Sequence, residues 1–137
     1  MSGCTLYYAP GACSRVSLIA LEEIGLPFEA RIVRFMAGEH RSPAYLAHNP
    51  KGKVPLLLVD GEPLTETVAI LVYLDGRYPQ ARLLPRSADA LSRAHVLEQL
   101  VWCASGLHPI ITRIRLPQMF CDHADGRERL RELAKQA

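Results

Sequence analysis

The stretch from Val54 to Val59, followed at once by Asp60-Gly61 and Glu62 to Leu64, narrows the possible folds more than any other feature of the chain. A short apolar run bounded by turn residues reads as a buried strand. Asp-Gly behind it is a hairpin signal, so Glu62 to Leu64 is the returning strand and the sheet must contain an antiparallel pair. Upstream, Thr5 to Ala9 is rich in β-formers and stops at Pro10-Gly11. From Ser14 the period changes: Val16, Ile19, Ala20 and Ile24 recur at three and four residues, and Leu18 and Leu21 add a second apolar side. That spacing predicts a well-buried helix, with Gly25 at its C′ position and Pro27 preventing its continuation. Phe28, Ala30 and Ile32 then alternate with Glu29 and Arg31 as a second strand. Residues 36–53 are polar and irregular, apart from Ser42-Pro43, a cap and first residue for a short helix. Thr65, Glu66 and Thr67 open a helix carrying Val68, Leu71 and Val72, closed by Gly76 and Pro79. The order is strand, helix, strand, excursion, hairpin, helix: an α/β domain over residues 1–80.

Residues 81–90 lack periodicity and read as a linker. From Leu91 the pattern is helical again through Leu97, Leu100 and Val101. Pro109, without an N–H and in conflict with the preceding turn, is expected to kink or end this helix. Gly126 to Ala137 begins another amphipathic helix, with Leu130, Leu133 and Ala134 on one side. Residues 91–137 thus read as the start of an all-helical domain, incomplete as it stands, with Trp102 and Phe120 expected in its core.

Charge and cysteine usage exclude several classes. Sixteen basic and fourteen acidic side chains are mixed along the chain for a net charge of +2. There is no basic stripe of the kind a nucleic-acid-binding surface needs. No apolar run is long enough to span a bilayer. The opening Met1-Ser2-Gly3-Cys4 lacks the regions of a signal peptide, which points to the cytoplasm. Cys4, Cys13, Cys103 and Cys121 show no CxxC spacing, which argues against structural zinc and against a dithiol motif. In a reducing compartment they are expected as free thiols.

Four segments carry a resemblance. Leu6-Tyr7-Tyr8-Ala9-Pro10-Gly11-Ala12-Cys13-Ser14 resembles the opening of bacterial, beta-class-like glutathione transferases. Asn49-Pro50-Lys51-Gly52-Lys53-Val54-Pro55 resembles the NPxGxVP segment of the superfamily, and Leu64-Thr65-Glu66-Thr67-Val68-Ala69-Ile70 its L-x-E-[ST]-x-A-I segment. Leu107-His108-Pro109, past the linker, resembles the start of the all-helical second domain in the bacterial members. The match keeps its spacing from Thr5 to Pro117. It implies a thioredoxin-like βαβ-ββα domain followed by part of an all-α domain, a homodimer, and reduced glutathione as cosubstrate. The implied activity is conjugation of glutathione to small hydrophobic electrophiles, with thiol transfer or peroxide reduction through Cys13 as a second use of the site. Members without transferase activity exist, so a non-catalytic dimerisation and binding module, or a truncated product, is the alternative.

The resemblance also assigns residues. Cys13 lies at the start of the first helix, where free N–H groups and the positive helix end favour a thiolate; otherwise it is a small packing residue. Ser14 is either a cap or a hydrogen-bond partner of the ligand sulfur. His108 would face the thiol as an acid or base, or simply pack at a helix end. Val54, with a cis bond to Pro55, would offer its N–H and C=O to the cysteinyl part of glutathione, in place of a trans proline opening an edge strand. Lys53 would meet the glycyl carboxylate or remain solvated. Glu66 would take the γ-glutamyl ammonium, and the Thr67 N–H and hydroxyl its carboxylate. A capping Thr65 explains the same segment without a ligand. Glu98 or Gln99 of a second subunit is a further candidate for the ammonium. Tyr7 and Tyr8, near the end of the first strand, are read as structural. Two departures from the family pattern stand out: Phe35 lies where a basic ligand-binding residue would be sought, and the Ser/Thr…Asp capping motif of the helical domain is missing.

Overall fold

The computed structural model describes residues 3–137; Met1 and Ser2, part of the leader reading, lie outside the described residues. The chain forms two compact units, one through Ala88 and one from Asp89. The first contains β1 (Cys4–Tyr8), α1 (Arg15–Ile24), β2 (Glu29–Ile32), α2 (Pro43–His48), β3 (Leu56–Val59), β4 (Glu62–Thr65) and α3 (Thr67–Arg77). The four strands lie in the order β2-β1-β3-β4. β1 pairs parallel with β2, while β3 is antiparallel to both β1 and β4. This is the thioredoxin-like arrangement, and the second unit is helical.

Strand alternation sorts the core into two faces. Leu6 pairs with Leu57 in the central register, and both are fully buried. Beyond them the buried residues are Ala20 and Leu21 of α1 and Ile70, Leu71 and Leu74 of α3, two helices in mutual contact. Tyr7 pairs with Leu56, and this pair belongs to a second cluster with Ala9, Val33, Val54 and Tyr45 of α2. Both central strands are therefore covered on both sides.

Two expectations about burial need correction. The buried side of α1 is Ser14, Ser17, Ala20 and Leu21, whereas Val16 and Ile19 are 45% and 52% exposed. The packing stripe is narrow, three small side chains with Leu21, and the larger Val16 and Ile19 remain outside it. In β2 all four residues are exposed, including Ala30 and Ile32, because the strand lies at the sheet edge.

Ser42 caps α2: its hydroxyl accepts from the Tyr45 N–H at 3.2 Å and donates to the Glu39 carbonyl at 2.8 Å, with Pro43 in the first turn. Ser42→Ala is expected to cost about 1 kcal/mol in chemical denaturation. A loss below about 0.3 kcal/mol would mean that Tyr45 packing alone fixes the helix.

The second unit runs α4 (Ala90–Val101), a π-helical segment Trp102–Leu107, α5 (His108–Arg115) and α6 (Ala124–Gln136). Asp89 caps α4 by accepting from the Ser92 N–H at 2.7 Å, a bond that also holds its carboxyl below the usual range. Pro109 does not end the helical run: helical structure continues from α4 through the π turn into α5. A wider turn just before the proline displaces the hydrogen-bond ladder where the ring removes a donor. Ser105 turns its hydroxyl back onto the Val101 carbonyl at 2.8 Å within that turn. Trp102 and Phe120, expected as core, are 55% and 51% exposed. α6 packs on α5, with Ala134 buried and the Arg131 guanidinium donating to the Ile114 carbonyl at 3.3 Å. Among the described residues no helix is long and apolar enough to cross a membrane.

Candidate functional site

Sheet register brings three separate segments to one end of the first unit. Tyr7 opposite Leu56 places the chain leaving β1 beside the chain entering β3. Leu56 opposite Thr65 places that same entry beside the chain leaving β4. The loop with Cys13, the Lys53–Val54–Pro55 approach and the Glu66–Thr67 helix start therefore share one edge.

Cys13 is partly buried and precedes Ser14, the N-cap of α1. Its thiol donates to the Val54 carbonyl at 3.7 Å, joining two of the sequence-derived candidates directly. The Cys13 carbonyl already accepts from the Val16 N–H at 3.0 Å, so the residue sits in the first wrap of the helix. Ser14 departs from its expected role as a side-chain cap. Its side chain makes no cap bond; it is fully buried and its hydroxyl accepts from the Ala9 N–H at 3.1 Å and donates to the Ala9 carbonyl at 3.3 Å. With both capacities turned to the end of β1, it fixes the loop that carries Cys13.

The Val54–Pro55 bond is cis, and Val54 and Pro55 are buried. Behind them the Lys53 carbonyl accepts two short bonds, from the Tyr45 hydroxyl and from Asn49 Nδ2, each at 2.6 Å. Burial pushes the Tyr45 hydroxyl pKa up, which keeps it a donor. Asn49 is 2% exposed and its Oδ1 accepts from the Lys51 N–H at 3.2 Å, an Asx turn. Gly52 completes the bend at φ 59°, with the position of a Cβ only 3.0 Å from the His40 carbonyl, so a side chain there meets backbone. The Lys53 side chain itself is exposed.

Glu66 is the N-cap of α3 at φ 72°, ψ 122°, a left-handed backbone that residues with a Cβ rarely adopt. Thr67 is the first helical residue, so its N–H has no partner within the helix. Thr65 is the last residue of β4 instead of the cap, and its hydroxyl accepts from Lys51 Nζ at 3.0 Å. The same ammonium pairs with Glu66 Oε1 at 2.6 Å. Lys51, Asn49 and Tyr45 are thus parts of this edge that residue-by-residue reading did not single out. The first two lie inside the NPKGKVP segment, where Asn two residues before an unpaired N–H was the available signal.

Tyr7 lies on the α2 face, edge-on to Tyr45 at 5.7 Å and accepting from Arg31 at 3.0 Å, in keeping with a structural part. Phe35, in the place where a cation was sought, stacks on His40 at 4.3 Å, and the His40 Nδ1 is buried without a partner. His108 belongs to the second unit, where it opens α5 with an exposed side chain. Cys4 is buried, and burial together with the Asp60 charge pushes its thiol pKa up.

Comparison with known proteins agrees with this architecture. A family model described as the glutathione S-transferase N-terminal domain matches residues 11–77. A maleylacetoacetate isomerase of Pseudomonas aeruginosa is 44% identical over 107 residues, 76% of this chain and 49% of that protein. Glutathione S-transferase GstA of Escherichia coli is 42% identical over 114 residues, 82% of this chain and 56% of that protein. The crystal structure of a glutathione transferase homologue from Sulfitobacter, with bound glutathione, superposes with a TM-score of 0.85 at 34% identity, covering 99% of this chain and 65% of that one. The chain spans about half the length of the curated relatives it matches. Motifs, fold and relatives together place the chain among the bacterial glutathione S-transferase-like proteins, its first unit being their thioredoxin-like N-terminal domain.

Proposed function

We propose that this protein binds reduced glutathione across the edge formed by Cys13, Val54 and Glu66, and activates its thiol for attack on small hydrophobic electrophiles. The observation that carries the reading is the meeting of Cys13 with the Val54 carbonyl at 3.7 Å, beside a helix that begins with Glu66 and Thr67. Glutathione is an extended peptide with a thiol in its middle and a zwitterion at one end. Backbone groups of Val54 suit the peptide unit, Cys13 lies where the sulfur falls, and Glu66 with the free Thr67 N–H complements the zwitterion. In conjugation the glutathione thiol loses its proton, its sulfur forms a bond to the electrophilic carbon, and the leaving group departs with its electron pair. The homodimer belongs to the same proposal.

A second reading comes from the relative named maleylacetoacetate isomerase. Addition of the same thiolate to an activated alkene, rotation about the resulting single bond and expulsion of the thiolate would isomerise a double bond without consuming glutathione. Thiol consumption during turnover separates the two.

Calorimetric titration with reduced glutathione is expected to give one saturable site. Glu66→Ala is expected to weaken it by about tenfold or more, the loss of one charge-assisted bond. Unchanged affinity in Glu66→Ala would move the zwitterion elsewhere on the protein.

A further inference from the structure

The lysine of the NPKGKVP segment that engages the site edge is Lys51, and its position has a consequence for ligand choice. Its ammonium lies 2.6 Å from Glu66 Oε1 and 3.0 Å from the Thr65 hydroxyl, fifteen and fourteen residues away along the chain. Both ends of the contact are anchored in the backbone. The Lys51 N–H is held by Asn49 Oδ1 at 3.2 Å, next to the sharp bend at Gly52, and Glu66 is fixed at φ 72°. The two charged groups are nevertheless wet, at 53% and 68% side-chain exposure. An exposed pair of this kind adds little to stability and opens at little cost.

We propose that Lys51 reads the α-carboxylate of a γ-glutamyl ligand, and that its ion pair with Glu66 stands in, in the free protein, for the ligand's own paired charges. This rests on the glutathione reading above. A γ-glutamyl end carries an ammonium and a carboxylate on one carbon. When the ammonium takes Glu66, it displaces the Lys51 ammonium and brings the ligand carboxylate beside it. Lys51 has three donors and retains the Thr65 hydroxyl as a tether, so the exchange replaces one ion pair by two. Without Lys51 the same carboxylate would face the Glu66 carboxylate with only helix N–H groups to offset the repulsion. The side chain is therefore a specificity device: it favours zwitterionic γ-glutamyl thiols over thiols that lack the α-carboxylate.

The test is a set of calorimetric titrations on wild-type protein, Lys51→Met and Lys51→Arg. Three probes are used: reduced glutathione, 4-aminobutyryl-Cys-Gly (α-carboxylate replaced by hydrogen) and glutaryl-Cys-Gly (α-ammonium replaced by hydrogen). Wild type should lose about tenfold or more in affinity when the α-carboxylate is removed, the size of one charge-assisted contact. Lys51→Met should weaken reduced glutathione by about tenfold and bind the des-carboxy probe within about twofold of it, while still rejecting the des-amino probe. Lys51→Arg should restore most of the carboxylate discrimination. Lys51→Met that discriminates as wild type does, or that binds reduced glutathione as tightly as wild type or tighter, overturns the proposal; in the latter case the lysine only competes for Glu66. Failure of wild type to bind reduced glutathione would overturn the ligand reading itself, and this proposal with it. Binding with unaltered discrimination in Lys51→Met overturns this proposal alone.

Discussion

Cys13→Ala is expected to lose thiol-transfer activity completely while keeping glutathione binding and part of any conjugating activity. Thiol transfer needs the protein sulfur. The Cys13 thiolate attacks a glutathionyl mixed disulfide, a protein–glutathione disulfide forms and the other thiolate leaves. A second glutathione thiolate then attacks that bond, releasing glutathione disulfide and restoring Cys13. Conjugation uses the ligand's own sulfur, so Cys13 contributes only through contact. No other cysteine of the first unit substitutes: Cys4 is 5% exposed and its thiol pKa is raised by burial and by Asp60, which keeps it protonated and unreactive. Intact-protein mass after incubation with glutathione disulfide reads the step directly. One adduct on wild type and none on Cys13→Ala is the expected result. An adduct that survives in Cys13→Ala would assign the reactive thiol to Cys103 or Cys121.

Asn49→Ala should show the largest stability loss among substitutions at the site edge. The side chain is 2% exposed and fully used, donating to the Lys53 carbonyl at 2.6 Å and accepting from the Lys51 N–H at 3.2 Å. Its backbone continues the same bend, with the Gly52 N–H donating to the Asn49 carbonyl at 2.9 Å. Alanine removes two partly buried hydrogen bonds and takes away the side-chain partner of the Lys51 N–H, at a cost of about 2–3 kcal/mol. The Lys53 carbonyl still has the Tyr45 hydroxyl, so the fold persists in a weaker form. Glutathione affinity should fall as well, because this bend places both Val54 and Lys51. Denaturant unfolding followed by titration measures both effects. A stability change under about 0.5 kcal/mol would mean that the Tyr45 bond alone sets the entry to β3.

Sequence periodicity captured the element order because each boundary carries its own chemistry: Pro10-Gly11 after β1, Gly25 at φ 73° after α1, Ser42-Pro43 before α2 and Asp60-Gly61 between β3 and β4. Burial was less legible. Helical spacing cannot say which of two apolar sides is buried, and in α1 the buried stripe runs between them through Ser17, Ala20 and Leu21. Strand alternation in β2 carries no meaning at an edge where all four side chains are exposed. In the second unit Trp102 and Phe120 are large and apolar, yet half exposed, and Pro109 is absorbed by a π turn that no residue pattern announces.

Motif spacing named Cys13, Val54 and Glu66 as candidates, and register brings the segments that carry them to one edge. Hydrogen-bond direction was not readable. Ser14 as a helix cap and Ser14 as a clasp on Ala9 have the same sequence, and only the three-dimensional path of the β1–α1 loop decides between them. The same holds for Lys51 against Lys53, which flank the bend at Gly52: Lys51 reaches Glu66, and the Lys53 side chain is exposed.

Reduced glutathione is proposed to lie along the edge where β1 and β4 end and β3 begins. Backbone amide shifts of the isotopically labelled protein, followed through a titration with reduced glutathione, test it most directly. Saturable shifts in the Cys13, Val54 and Thr67 amides with one common dissociation constant are expected. Saturation without movement at Val54 and Thr67, or no shifts at all from a folded protein, would contradict it.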